Sequence, residues 1–236
     1  MALNDAVVFA EATRRYPSGT TVGPLSLSVT SGSCLGLVGA NGAGKTTALR
    51  MLTGLEPIDE GSISVLAADV VFGDMPRGIS GLIEEPRFYR DLNARKNLLI
   101  CQADGEKTDA QIREVLGRVG LNAPDSLRLR SYSQGMRQRL GIARVLLSGG
   151  EILVFDEPTN GLDPVGIRWF RGLVRELVGS GHTVVLSSHQ LHEVQATADT
   201  YAMLHDGQIV ARGEVSELSR SGCVSLEDLY FRIFDA

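Results

Sequence analysis

No window of this sequence approaches the run of about 18 apolar residues that a membrane-spanning helix needs. The opening stretch MALNDAVVFAEATRRY also lacks a basic segment followed by an apolar one. The expectation is a chain that neither crosses a membrane by itself nor carries a secretory leader. Cysteine is scarce: Cys34, Cys101 and Cys223 are odd in number, widely spaced and without a CxxC pair. That leaves no metal or redox signature and predicts reduced thiols in a cytoplasmic protein. Lysine is scarcer than its charge class suggests, with only Lys45, Lys96 and Lys107 among 23 basic residues. A net charge of −5 weighs against a chain that wraps nucleic acid, so no nucleic-acid partner is expected. Internal repeats and low-complexity segments are lacking as well. What is present is a chain of 236 residues, 43% hydrophobic, enough for one sizeable domain with room for a subdomain.

One of the three lysines stands in CLGLVGANGAGKTTALRML. This reads as an apolar strand over Leu35–Val38, a glycine-rich loop, and a helix from Lys45 that stops near Gly54. Gly39, Gly42, Gly44, Lys45 and Thr46 fit G-x-x-x-x-G-K-[ST], in the strand-loop-helix context that pattern requires. Glycines let backbone N–H groups face phosphate oxygens, the helix adds its positive end, and Lys45 adds a charge for the terminal phosphates. A second apolar run, EILVFDEPTNGLDP, ends in Asp156 and Glu157. Taken alone, those acids fit a strand meeting solvent at a turn helped by Pro158 and Gly161. Beside a phosphate loop they have a further use. Mg²⁺ takes hard oxygen ligands, so Asp156 would join the Thr46 hydroxyl on the metal, and Glu157 would accept a proton from water attacking the γ-phosphate. That combination makes a hydrolase.

A phosphate loop does not by itself choose among GTPases, kinases, helicases and transport ATPases. SYSQGMRQRLGIARVLL, residues 131–147, reads as a Ser133 cap and an amphipathic helix with Leu140, Ala143, Leu146 and Leu147 along one side. Its place before the EILVFDE strand, and the order of motifs over nearly the whole chain, resembles the ATP-binding subunits of ABC transporters. The resemblance makes Gly39, Asn41, Gly42, Ala43, Gly44, Lys45, Thr46 and Thr47 the ATP cradle. It puts Tyr16 against the adenine, where a packing aromatic is the alternative. It makes Ser133 and Gly135 the signature positions that touch the γ-phosphate of an opposing subunit, and it sets Asp163 in the loop that crosses the dimer seam. His189, after the strand in TVVLSSHQ, matches the histidine that reads the γ-phosphate. His182, His192 and His205 match nothing and are taken as structural. HDGQIVARGE resembles the family's late hairpin, with Asp206 and Gly207 as its turn.

Two departures stand out. Glu84 occupies the place where the family usually has glutamine, in the segment that senses the membrane partner. A carboxylate can still ligate Mg²⁺ and act in catalysis there, and a solvated loop acid is the alternative. With EEP and FY following, this resembles the subgroup that exports peptide antibiotics or confers resistance to them. Gln134 and Met136 replace the usual signature residues but leave Ser133 and Gly135 in place. The implied fold is α/β, a phosphate-loop NTPase core with a mainly parallel sheet. An antiparallel β subdomain is expected over residues 1–34 and a helical subdomain over 86–148, inside a single domain of 1–236 whose core is 1–85 and 149–236. The implied cofactors are ATP and Mg²⁺. The implied partners are a separate transmembrane permease and a second ATPase subunit, in a homodimer or with a related chain. Such a protein would sit on the inner face of the cell membrane, powering export of a peptide antibiotic, drug or lipid-like substrate. A nucleic-acid or ribosome remodelling ATPase would carry coiled-coil insertions or two cassettes, and a GTPase would carry N-K-x-D; none of these is seen.

Overall fold

The computed structural model describes residues 5–84, 87–101, 107–122 and 124–234. In chain order come strands β1 (Asp5–Arg15), β2 (Thr21–Thr30) and β3 (Cys34–Val38), helix α1 (Lys45–Leu52), and strands β4 (Glu60–Val65), β5 (Ala68–Asp69) and β6 (Ile79–Leu82). Helices α2 (Ala94–Ile100), α3 (Asp109–Arg118) and α4 (Gln134–Ser148) follow without an intervening strand. The chain then alternates: β7 (Ile152–Phe155), α5 (Pro164–Gly179), β8 (Thr183–Ser188), α6 (Leu191–Thr197), β9 (Thr200–His205), β10 (Gln208–Glu214) and α7 (Leu226–Phe234).

Two sheets result. The central one has strand order β10-β9-β3-β8-β7-β6, parallel except for the β9–β10 hairpin. That hairpin turns through Asp206 and Gly207, both at positive φ, as a tight hairpin between right-twisted strands requires. Its inner strands β3, β7 and β8 are buried at every residue, the mark of a parallel sheet covered on both faces. Successive side chains serve different cores. Leu35, Leu37, Ile152, Val154, Val185 and Ala202 face α1 and the second sheet. Leu153, Phe155, Val184, Leu186, Tyr201 and Met203 face the remaining helices. Helix α6 lies so close to β3 that a Cβ on Gly36 would stand 2.3 Å from Val194 Cγ1, so only glycine fits there.

The second sheet, order β2-β1-β4-β5, is antiparallel, and β2 alternates buried and exposed as a half-solvated strand should. The antiparallel sheet is therefore not confined to residues 1–34: β4 and β5 belong to it, with Val7 opposite Val65 and Phe9 opposite Ile63. Ile63 and Val65 are fully buried, and their burial exists only once the distant β1 is in place. The expected boundary at 85/86 falls outside the described residues. No described helix is long and apolar enough to cross a membrane.

Candidate functional site

The glycine loop joins β3 to α1. Gly39 has no room for a side chain, since a Cβ there would meet the Leu204 carbonyl oxygen at 2.2 Å. Gly42 and Gly44 adopt φ of 83° and 102°, conformations that L side chains rarely take. The hairpin turn props the loop, with the Gly207 N–H donating to the Ala43 carbonyl at 3.1 Å. Asn41 and Gly42 are exposed at the tip, while Ala43 is buried beneath. Lys45 is only 6% exposed; its Nζ donates to the carbonyls of Gly39 at 2.7 Å and Ala40 at 3.1 Å. A buried ammonium held by two neutral carbonyls is ready to exchange them for anionic oxygens.

Strands β7 and β8 bring the acids to this point. Asp156 follows β7 and its Oδ2 accepts from the Thr46 hydroxyl at 2.8 Å, so the two elements meet at the side chains expected to share a metal. Glu157 follows in the left-handed region, φ 47°, and this turns its carboxylate back over the loop. Its Oε1 lies 3.4 Å from Lys45 Nζ, and its Oε2 lies 2.8 Å from His189 Nδ1. Residues far apart in sequence thus form two adjoining chains of contacts: Thr46 to Asp156, and Lys45 to Glu157 to His189.

Ser187, at the end of β8, went unrecognised in the sequence. Its hydroxyl donates to Asp156 Oδ1 and accepts from the Glu157 N–H at 2.9 Å, locking both acids at once. Gln138 was missed too: its Nε2 donates to the Pro158 carbonyl at 3.1 Å, tying α4 to the segment after Glu157. The available signals were a hydroxyl pair, Ser187-Ser188, closing an otherwise apolar strand, and an amide in the apolar stripe of α4.

Tyr16 is half-buried, with its hydroxyl 3.2 Å from Thr47 Oγ1, so it stands beside the loop. Glu84 lies two residues beyond β6, whose Leu82 pairs with Phe155 directly before Asp156. Its carboxylate is held by Arg50 of α1 at 2.8 Å and is 56% exposed. Ser133, Gly135 and Asp163 make a separate group. Ser133 caps α4, accepting from the Met136 N–H at 3.2 Å, and Asp163 caps α5 through the Gly166 N–H at 2.7 Å. A Cβ on Gly135 would stand 2.9 Å from the Gly161 carbonyl, so these two caps are neighbours. Ser133 and Asp163 are exposed and, among the described residues, make no hydrogen bond to the phosphate loop. His182 Nδ1 stands 3.1 Å from the Ser180 hydroxyl, His192 faces Glu193, and His205 stacks on Phe234.

The donor set suits a hard divalent cation of small protein demand. Thr46 and Asp156 offer two adjacent oxygens, and no cluster of three or more metal-ligating acids, histidines or cysteines exists among the described residues. Mg²⁺ is bound in this way when phosphates supply the other ligands. Cys34, Cys101 and Cys223 are free, and burial, with Asp199 nearby, pushes the Cys34 thiol far up.

The chain is 40% identical over 204 residues to the bacitracin transport ATP-binding protein BcrA of Bacillus licheniformis, covering 85% of this chain and 67% of that one. It is 35% identical over 217 residues to the lantibiotic transport ATP-binding protein SrtF of Streptococcus pyogenes, covering 92% of each. A solved ATP-binding subunit of an ABC transporter superposes with a TM-score of 0.85 at 24% identity, over 97% of this chain and 99% of that one. Residues 22–160 match the family model described as ABC transporter. The chain belongs to the ABC transporter family as an ATP-binding subunit, of the kind that binds ATP and hydrolyses it to power transport.

Proposed function

We propose that this chain hydrolyses ATP with Mg²⁺ in a head-to-tail pair of ATPase subunits, and that the pair drives a separate membrane permease for a peptide antibiotic, drug or lipid-like substrate. The observation that carries the chemistry is the convergence of Lys45, Thr46, Asp156, Glu157 and His189 from three separate segments. Lys45 trades its two carbonyls for terminal phosphate oxygens. Tyr16 stacks on the adenine, and the amides from Gly39 to Thr47 wrap the phosphates. Thr46 and Asp156 would hold Mg²⁺, and Glu84, now on Arg50, would leave that partner to serve as a further ligand. The bound metal neutralises charge on the phosphate oxygens. Glu157 takes the proton of the attacking water, and His189 orients that carboxylate and reads the γ-phosphate.

The group of Ser133, Gly135 and Asp163 caps α4 and α5, and among the described residues Ser133 and Asp163 make no hydrogen bond to the phosphate loop of their own chain. In the pair it completes the partner's site, and because each chain has one copy of each motif, a homodimer is the simplest assembly. We assign residues 86–148 to the helical subdomain that carries this group, within a single ATPase domain. The substrate class rests on the names of the bacitracin and lantibiotic relatives and on Glu84. Docking on the permease would place the chain at the inner face of the membrane. The test is Glu157→Gln, which keeps ATP binding while turnover falls about 10²–10⁴-fold, the usual worth of a general base. With ATP and Mg²⁺ the variant runs as a dimer by light scattering; a monomer refutes the shared site.

A further inference from the structure

We infer that Arg14 is a positioning residue for the nucleotide base: its guanidinium backs one face of Tyr16, so that a purine on the opposite face completes a stack of base, phenol and guanidinium. This rests on the reading of Tyr16 as the base-stacking ring. Arg14 Cζ lies 4.9 Å from the Tyr16 ring centroid, inside the range of a cation–π contact. The guanidinium is pinned there. Its Nε meets Glu56 Oε1 at 2.8 Å and its Nη1 meets Asp59 Oδ2 at 2.9 Å. Asp59 in turn accepts from the Arg15 N–H at 2.7 Å. The Arg15 amide and then Arg14 hold the Asp59 carboxyl below the usual carboxylate range, so the anchor stays ionised.

Glu56 and Asp59 both follow α1, the helix that opens with the phosphate-binding lysine. The ring is thus tied through its hydroxyl to Thr47 of α1 and through its face, by Arg14, to the segment that follows α1. Fixing the ring in advance removes an ordering cost from base binding. A cation behind the ring also draws off π density, which lessens repulsion of a purine's own π cloud on the other face. Lysine would keep the charge and lose the planar fork that engages Glu56 and Asp59 together.

The test compares affinity for ATP with affinity for inorganic tripolyphosphate, which has no base, in the wild type, Arg14→Met, Arg14→Lys, Tyr16→Ala and the Arg14→Met/Tyr16→Ala double variant. Arg14→Met should weaken ATP about two- to fivefold, the equivalent of a partly exposed cation–π contact, and leave tripolyphosphate unchanged. Arg14→Lys should recover part of the loss, and it carries the comparison if the Met variant does not fold. In the Tyr16→Ala background, removing Arg14 should cost nothing further. Equal weakening of both ligands would show that Arg14 acts only as a distant charge and overturns the inference. A gain in ATP affinity would show that Arg14 occupies the base's own face and overturns it as well. If Tyr16→Ala weakens ATP selectively while Arg14→Met does not, only this inference fails. If Tyr16→Ala leaves the ratio untouched, the base-stacking reading itself fails.

Discussion

Replacing Glu84 by Gln removes one negative charge at nearly constant shape, and the structure bounds the result. In the protein this carboxylate rests on Arg50 at 2.8 Å, with side-chain exposures of 56% and 38%. A pair so exposed is worth about 0–1 kcal/mol, so the variant should fold and melt within a few degrees of the parent. Toward the metal the balance differs. A doubly charged cation about 4 Å from a carboxylate gains about 2 kcal/mol in a water-like dielectric. Leaving Arg50 returns up to about 1 kcal/mol of that. The net of about 1–2 kcal/mol predicts a Mg²⁺ half-saturation about five- to thirtyfold higher for the Gln variant. ATP affinity in excess Mg²⁺ should change little. The assay is Mg²⁺ titration of ATP hydrolysis and of nucleotide affinity, with and without the permease in membranes, beside a thermal melt. Stimulation by the permease should weaken more than ATP binding does. Superimposable Mg²⁺ curves and equal stimulation would refute the reasoning and leave Glu84 as a solvated loop acid.

Lys45→Ala should abolish productive ATP binding, because it deletes the only charged side chain of the loop and removes the lysine partner of Glu157; an unchanged nucleotide titration contradicts the phosphate-loop assignment. Gly36→Ala should destabilise the fold by about 1–3 kcal/mol through overpacking against Val194, read as a lower urea midpoint, and an unmoved midpoint would mean that α6 gives way freely. Of the three thiols only Cys101 is exposed, so one equivalent should react with a thiol reagent in the native state and the other two only on unfolding; rapid reaction of all three would disprove the burial of Cys34 and Cys223.

The phosphate loop was legible in the sequence because its chemistry is local. Glycines at fixed spacing, a lysine and a threonine at a helix start need only their own few neighbours to make an anion cradle. The buried strands were legible for the same reason: continuous apolar runs such as ILVF state their environment without reference to the rest of the chain. The cap at Ser133 also declares itself over three residues. Pairing between distant strands does not. The antiparallel sheet reaches residues 60–69 because Ile63 and Val65 find Phe9 and Val7, and a short alternating strand carries no label for its partner. Nor did the sequence mark Ser187 as the residue that locks both acids, since a strand-end serine has no intrinsic target until β7 and β8 lie side by side. Glu84 shows the division most sharply. Its identity was plain in the sequence, but its present partner is Arg50, brought up by a helix that starts near residue 45. Charges have no preferred neighbour along the chain, so only the tertiary fold decides which of them meet.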